Sequence, residues 1–90
     1  MNRVVILSYG NRFLKSSRVL PSVQQRKLGT LLEILQSNPF ENSLHTKPLA
    51  GELAGLYSFR ITRDWRVVFR FESPEEIVLL DVAHRKDIYR

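Results

Sequence analysis

Cysteine is absent from this sequence of 90 residues, and histidine occurs only twice, as His45 and His84. The lack of cysteine excludes disulfide scaffolds, thiolate nucleophiles and thiolate zinc sites, and it is typical of proteins from a reducing compartment. Two histidines are too few for a histidine-rich metal site. We therefore expect neither a metal ion nor a cofactor.

Long apolar segments are also missing. No stretch approaches the roughly 18–20 apolar residues of a membrane span, and positions 1–9 are too short and lack the small-residue cleavage site of a signal peptide. We expect a cytoplasmic protein with no membrane partner. A chain of this size hides only about 60–65% of its unfolded surface, which leaves room for one thin core. Residues 1–90 are therefore predicted to form a single domain.

Acidic residues are lacking from the first 32 positions, and the chain has a net charge of +5. A basic excess indicates an anionic partner without identifying it. The simpler explanation of this acid-free basic segment is that its charged side chains only form solvated helix faces. A second basic group lies between positions 60 and 70, and an acidic stretch follows it. The six basic residues of the first block are Arg3, Arg12, Lys15, Arg18, Arg26 and Lys27.

The start of the chain has the pattern of a strand followed by a helix. Residues Val4–Tyr9 form a short, β-branched apolar run before Gly10, which predicts a buried first strand. A helix is expected from about Asn11 to Val19, before Pro21 interrupts the pattern.

A second helix is predicted between Ser22 and Pro39. Ser22 and Gln25 have the spacing of a capping box at a helix start, and Pro39 ends the helix. Gly29 is interpreted as a point of close packing. Four leucines at helical spacing predict an amphipathic face, namely Leu28, Leu31, Leu32 and Leu35.

Residues 39–55 have no sustained period, and we expect a loop there with a helical turn at 49–53. A loop of this length in a small domain is often functional. The period then changes to two, which predicts a β-hairpin that turns at Arg63 and Asp64. One face of the hairpin comprises Tyr57, Phe59, Ile61, Trp65, Val67, Phe69 and Phe71, and the other carries Arg60, Arg66 and Arg70.

A turn at 73–76 and an apolar run from Ile77 to Ala83 predict a central last strand. The order βααβββ indicates an α+β domain, with two N-terminal helices packed on one face of a mostly antiparallel, four-stranded sheet. The aromatic face is expected under the helices, because each large apolar side chain left in water would forfeit about 1.5–3 kcal/mol. The arginine face is expected to be open.

The open arginine face is a candidate site for an anion. Cross-strand neighbours lie about 5 Å apart, so like charges there repel unless a counter-charge is present. Arginine binds phosphate through two parallel hydrogen bonds, which favours the backbone of a nucleic acid as partner. The alternative is that the arginine stems only cover an open sheet face.

The C-terminal segment adds His84, Arg85 and Tyr89. Cleavage of RNA by its own 2′-hydroxyl requires a group that takes the proton, a cation that stabilises the phosphorane and an acid for the leaving 5′-oxygen. The imidazole suits acid or base catalysis, the guanidinium suits the phosphate charge, and the phenol suits base stacking. A lone histidine at a strand end is also often purely structural.

Four motifs resemble those of the RelE/ParE superfamily of bacterial toxins from toxin–antitoxin pairs. The resemblance implies a microbial RNase-like fold and, in the RelE branch, a ribosome-dependent endoribonuclease that cuts mRNA in the A site without a metal ion. It also implies a cognate acidic antitoxin, for which the acid-free first 32 positions offer a basic docking surface. The motifs are Lys47-Pro48-Leu49-Ala50-Gly51, Gly55-Leu56-Tyr57-Ser58-Phe59-Arg60-Ile61, Trp65-Arg66-Val67-Val68-Phe69 and His84-Arg85-Lys86-Asp87-Ile88-Tyr89.

The resemblance implies roles for single residues. Arg66 matches the strand arginine that contacts the scissile phosphate, Arg85 matches the C-terminal catalytic arginine, and Tyr89 matches the tyrosine that packs on the base. With His84, which precedes the arginine in many members, these residues form the predicted catalytic set. The predicted RNA-binding set is Lys47, Arg60, Arg63, Arg70 and Lys86.

Two positions depart from the pattern of the relatives. Arg60 stands at the second of two strand lysines of RelE, but Ser58 stands at the first and removes a candidate base. Lys47 stands where YoeB-like members have a catalytic glutamate. The alternative function is a ParE-like poison that binds DNA gyrase without catalysis. Exchange of Arg66 or Arg85 for alanine is expected to abolish mRNA cleavage and to leave the fold intact.

Overall fold

Five strands form one sheet in the computed structural model, which describes residues 4–88. Three helices accompany the sheet, and two 3₁₀ turns lie in the loop after the second helix. The strands stand in the spatial order β1-β5-β4-β3-β2. In chain order the elements are β1 (Ile6–Tyr9), α1 (Asn11–Arg18), α2 (Ser22–Ser37), β2 (Lys47–Pro48), β3 (Tyr57–Arg60), β4 (Trp65–Ser73), β5 (Glu76–His84) and α3 (Arg85–Ile88), with the 3₁₀ turns at Asn42–Leu44 and Gly51–Leu53.

The α+β class and the two N-terminal helices are confirmed, but the predicted four-stranded sheet is wrong. The extra strand is β2, whose two residues pair antiparallel with β3 inside the segment that we expected to be a loop. Two residues are too few to show an alternation of apolar and polar side chains. The strand forms only because β3 is in place to pair with it. The sheet is mostly antiparallel as predicted, and the parallel pairing is that of β1 with β5.

Strand β1 is an edge strand and not a buried one. It has β5 as its one strand neighbour among residues 4–88, and Ile6 is 62% exposed. The Gly10 N–H donates to the Leu79 carbonyl at 2.9 Å, where β1 passes into α1. A Cβ atom at Gly10 would lie 2.9 Å from the same oxygen. Glycine therefore allows the close approach of the two chain segments.

Helices α1 and α2 follow the predicted bounds, but two details of the prediction for α2 are wrong. Pro21 caps α2 without a side-chain hydrogen bond, and Gln25 donates to the carbonyls of Arg18 and Leu20 at 2.9 Å instead of forming a capping box. No atom lies within 4 Å of a Cβ placed on Gly29, so this glycine serves no close packing. Among residues 4–88, none of the helices is both long and apolar enough to cross a bilayer.

The aromatic face of the β3–β4 hairpin lies in the main core, as predicted. Phe59 and Phe69 are fully buried, with their ring centroids 6.0 Å apart. The leucine face of α2 joins the same core through Leu28, Leu31 and Leu35. Trp65 is the exception, because 36% of it is exposed.

The opposite face of the sheet is covered, which corrects the prediction of an open face. A second apolar cluster there contains Val68 of β4, Leu49 of the loop and Ile88 of α3. The cover consists of two short segments, the loop before β3 and the helix after β5. The sequence analysis did not predict that either segment packs on the sheet, because each makes its apolar contacts only once the sheet has formed.

Candidate nucleic-acid interface

The strand register brings several of the predicted residues to one end of the sheet. Arg60 of β3 pairs with Arg66 of β4, and Arg66 pairs with Ala83 of β5. His84 and Arg85 follow Ala83 directly in the chain. The antiparallel register therefore aligns Arg60, Arg66 and Ala83 in one row across three strands. The His84 side chain lies at the same end of the sheet but on the other face, beside Trp65.

Arg66 is held inside the protein. The residue is 5% exposed; its Nε donates to the Ser58 hydroxyl at 2.8 Å, and its Nη2 donates to the His45 carbonyl at 2.5 Å. A buried charge is tolerated only when it is hydrogen-bonded or paired. The guanidinium thus ties β4 to β3 and to the residue that ends the first 3₁₀ turn, and it is not the open phosphate clamp that we expected.

Arg60 lies next to Arg66 in the row and is half-buried. Its Nε is enclosed and has no hydrogen-bond partner among residues 4–88. An enclosed donor without an acceptor costs about 1–3 kcal/mol, which an anionic acceptor at this position would recover. Arg60 is therefore the member of the row with unused capacity for an anion.

Arg85 begins α3 and contacts the turn between β3 and β4. Its backbone N–H donates to the Asp64 carbonyl at 2.8 Å, and its side-chain Nε lies 3.5 Å from Asp64 Oδ1. Both side chains are about half exposed, at 50% and 53%. Exposed ion pairs of this kind contribute at most about 1 kcal/mol, so the guanidinium is readily exchanged to another anion.

His84 ends β5 with a defined hydrogen-bond arrangement. Its Nδ1 accepts a hydrogen bond from the Lys86 N–H at 3.2 Å. A neutral imidazole that accepts at Nδ1 carries its hydrogen on Nε2, so Nε2–H is the hydrogen-bond donor of this ring. The ring stands edge to face against Trp65, with centroids 5.3 Å apart and an interplanar angle of 78°.

The other predicted residues are more scattered. Arg70 pairs with Val78 at the opposite part of β4 and forms an ion pair with Glu72. Four residues of strand separate it from Arg66, or about 13 Å, so the structure does not bring it to the row. Tyr89 lies outside the described residues. Lys47, Arg63 and Lys86 are exposed around the row, on β2, the β3–β4 turn and α3 respectively.

The sequence analysis did not identify three residues as members of the site. Ser58 was noted only for what it replaces, yet its hydroxyl accepts from Arg66. Asp64 was assigned to a turn, yet it pairs with Arg85. Trp65 was placed in the core, yet it faces His84. A signal existed only for Ser58, which alternates with Arg60 and so shares the strand face of the arginines.

The fold of this chain occurs in toxins of known structure. The YoeB/ParE toxin from Agrobacterium tumefaciens is 21% identical, with 89% of this chain and 98% of that chain covered and a TM-score of 0.75. The match to the toxin–antitoxin complex RelBE2 from Mycobacterium tuberculosis has 24% identity and a TM-score of 0.76, and it covers 92% of this chain and 93% of that chain. The match to the archaeal RelE–RelB complex from Pyrococcus horikoshii OT3 has 22% identity and a TM-score of 0.75, and it covers 91% of this chain and 96% of that chain. The molecule therefore has the RelE/ParE-like fold.

The sequence itself narrows the class. Residues 11–89 match the family model described as the ParE toxin of the type II toxin–antitoxin system, parDE. A sequence search of curated proteins gave no significant match. Since the family match spans most of the chain, the protein belongs to this family of toxins, within the RelE/ParE superfamily.

Proposed function

We propose that this toxin binds mRNA in the ribosomal A site and cleaves it by attack of a 2′-hydroxyl on the adjacent phosphate. The observation that carries the proposal is the row formed by Arg60 and Arg66 across two strands, continued by His84 and Arg85 at the end of β5. Charges and a hydrogen-bond donor at one sheet end match what phosphodiester cleavage requires.

The proposal assigns a different task to each side chain. The 2′-hydroxyl loses its proton to water as its oxygen forms a bond to phosphorus, and the bond from phosphorus to the 5′-oxygen breaks. Arg85 leaves its exposed pair with Asp64 and stabilises the charge on the phosphorane. His84 donates a hydrogen bond from Nε2–H to the departing 5′-oxygen, which takes its proton from water. Arg60, which is half-buried, binds a neighbouring phosphate oxygen through its guanidinium.

Arg66 has a positioning task in this proposal. Its side chain is too enclosed to reach a substrate directly, at 5% exposure. Its hydrogen bonds to Ser58 and to the His45 carbonyl fix a positive charge directly beside Arg60. A fixed charge in a partly dry environment acts on a bound phosphate without a reorganisation cost.

The proposal is tested by mapping mRNA 5′ ends in bacteria after brief expression of the chain, with gyrase supercoiling assayed in the same cells. We expect discrete cuts in translated messages and unchanged supercoiling. Arg85→Ala should abolish the cuts. Lys27→Ala, which removes an equal charge from the exposed surface of α2, is the matched control and should cut like the wild type. Cuts that persist in Arg85→Ala would refute the assigned site.

The second candidate function is a gyrase poison that acts by binding alone. The enclosure of Arg66 favours it, because a buried, hydrogen-bonded guanidinium is also what a purely structural residue would show. The family description, which names the ParE toxin, points the same way. Intact mRNA together with inhibited supercoiling in the experiment above would establish this function instead.

We also propose that an acidic antitoxin covers the helical layer. The basic side chains of α1 and α2 are exposed, and a groove of about 300 Å³ opens between the two helices. Apolar side chains line this groove and Arg18 stands at it, which suits an amphipathic segment with acidic residues. The apolar lining consists of Tyr9, Phe13, Leu14, Leu28 and Leu32.

The antitoxin surface is tested with the cognate antitoxin in a binding titration. We expect Arg18→Glu to weaken binding by about tenfold or more, since it places like charges together at the edge of the groove. Arg63→Glu, with the same charge change in the β3–β4 turn, is the control. Equal loss of affinity in both variants would show that overall charge, and not this groove, determines binding.

A further inference from the structure

A second opening lies on the other side of His84, between α1 and the ends of β4 and β5. Its volume is about 600 Å³, within the roughly 300–1,000 Å³ of small-molecule sites. It is separate from the groove between α1 and α2, because it uses the opposite side of α1. Its charged, aromatic and imidazole side chains are those of Arg12, Lys15, Trp65, Asp81, His84 and Asp87.

Trp65 gives this cleft an aromatic surface. The hairpin buries Phe59 and Phe69 fully, whereas Trp65 stays 36% exposed and meets the His84 ring edge to face. An exposed aromatic ring beside basic side chains is the usual platform on which proteins stack the bases of single-stranded nucleic acids.

The charged side chains of the cleft complement a nucleotide. Arg12 Nε lies 3.1 Å from Asp81 Oδ2, so a donor and an acceptor stand side by side for the polar edge of a base. Lys15 is exposed, and its side chain has no partner among residues 4–88. A free ammonium at the mouth of the cleft suits a phosphate.

We infer that this cleft binds one nucleotide of single-stranded RNA next to the scissile phosphate, with its base stacked on Trp65 and its phosphate on Lys15. The inference rests on the proposed function, which supplies RNA as the ligand. His84 lines the cleft and adjoins Arg85 in the chain. A nucleotide bound in the cleft therefore leads the RNA strand past His84 toward Arg85.

The sequence provides a direct probe, because Trp65 is its one tryptophan. The full chain is titrated with a 2′-O-methyl RNA hexanucleotide, which has no free 2′-hydroxyl and is not cleaved. We expect saturable quenching of Trp65 emission. An abasic oligonucleotide of the same length carries the phosphates without bases, and it should bind without quenching.

Two pairs of variants separate stacking from charge. Lys15→Ala should lower the slope of log affinity against log salt by about 0.7, the value for one phosphate contact on a single strand, and Lys27→Ala should leave it unchanged. With a dye-labelled hexanucleotide, Trp65→Ala should weaken binding roughly five- to a hundredfold, and Trp65→Phe should restore most of the loss because it keeps a stacking ring.

The inference is overturned if the hexanucleotide does not quench Trp65, if the abasic oligonucleotide quenches equally, or if Lys15→Ala keeps the wild-type slope. Its failure is distinguishable from failure of the proposed function. If mRNA is cleaved in cells but the hexanucleotide does not quench Trp65, the nucleotide site in the cleft is refuted and the nuclease function is retained. Quenching without any cleavage in cells keeps the nucleotide site and removes the nuclease.

Discussion

The Arg66 guanidinium and the Ser58 hydroxyl form a hydrogen bond of 2.8 Å inside the protein. Ser58 is fully buried and Arg66 nearly so. Because Arg60 is the direct cross-strand partner of Arg66, this bond crosses the strands diagonally. It couples the stability of the sheet to the position of the proposed site, and the two effects require separate measurements.

We expect Arg66→Ala to lower the free energy of unfolding by about 2–3 kcal/mol, because it leaves buried acceptors without their donor. This differs from the expectation formed on the sequence, in which the variant kept its stability. Urea denaturation monitored by the fluorescence of Trp65 measures the change. Arg70→Ala removes an arginine from an exposed ion pair with Glu72 and should cost at most about 1 kcal/mol. Equal stability of the two variants would contradict the structural role of Arg66.

Arg85 should behave in the opposite way. Its pair with Asp64 is exposed, so Arg85→Ala should change the unfolding free energy by no more than about 1 kcal/mol. Under the proposed function, loss of the charge assigned to the phosphorane should lower the rate of mRNA cleavage by about 100-fold or more. Asp64→Asn breaks the same pair and leaves the guanidinium in place, so it should retain cleavage. If Asp64→Asn is as inactive as Arg85→Ala, the pair itself is required.

The elements with an internal period were predictable from the sequence. The leucine spacing of α2 and the two-residue alternation of β3 and β4 each depend on one buried face, so they can be recognised locally. Strand β2 and helix α3 have only two and four residues. Their existence depends on neighbours far along the chain, and no local pattern encodes those neighbours.

The candidate site was predictable in composition but not in geometry. Alternation placed Arg60, Arg66 and Arg70 on one strand face, and the register confirms that Arg60 and Arg66 are neighbours. Burial of Arg66 requires the His45 carbonyl, which the loop presents from a residue with φ of 50°. A backbone acceptor has no sequence signature, so enclosure of this arginine was not foreseeable.

The same substitution at two glycines should change stability in opposite directions. Gly10→Ala places a Cβ 2.9 Å from the Leu79 carbonyl oxygen, and we expect a loss of about 1–3 kcal/mol from overpacking. Gly29→Ala meets no atom within 4 Å and should stabilise α2 by about 0.5–1 kcal/mol. Thermal unfolding of both variants measures the difference. Destabilisation by Gly29→Ala would indicate a packing role for this position.

Glu41 should titrate below its ordinary range. The hydroxyl and the backbone N–H of Ser43 both donate to its carboxylate, and these hydrogen bonds lower the pKa of Glu41. A lowered pKa in the folded state stabilises the fold above the unfolded pKa, and this contribution is lost as the pH falls through the folded pKa. A carboxyl carbon NMR titration measures it.

Ser43→Ala is the control for the Glu41 titration. The variant removes the hydroxyl and keeps the backbone donor, so the pKa should move only part of the way back to its ordinary value. A wild-type midpoint at the ordinary value would show that the two hydrogen bonds do not persist in solution.

The parallel pairing of β1 with β5 determines when the sheet can be completed during synthesis. Ile6 pairs with Glu76, and Tyr9 pairs with Leu79, so the first strand has its neighbour only after residues 76–79 have been made. Contacts between such distant positions form late in folding. The strand that completes the sheet is also the one that ends in His84. A chain that stops before β5 therefore has neither its full sheet nor its proposed site.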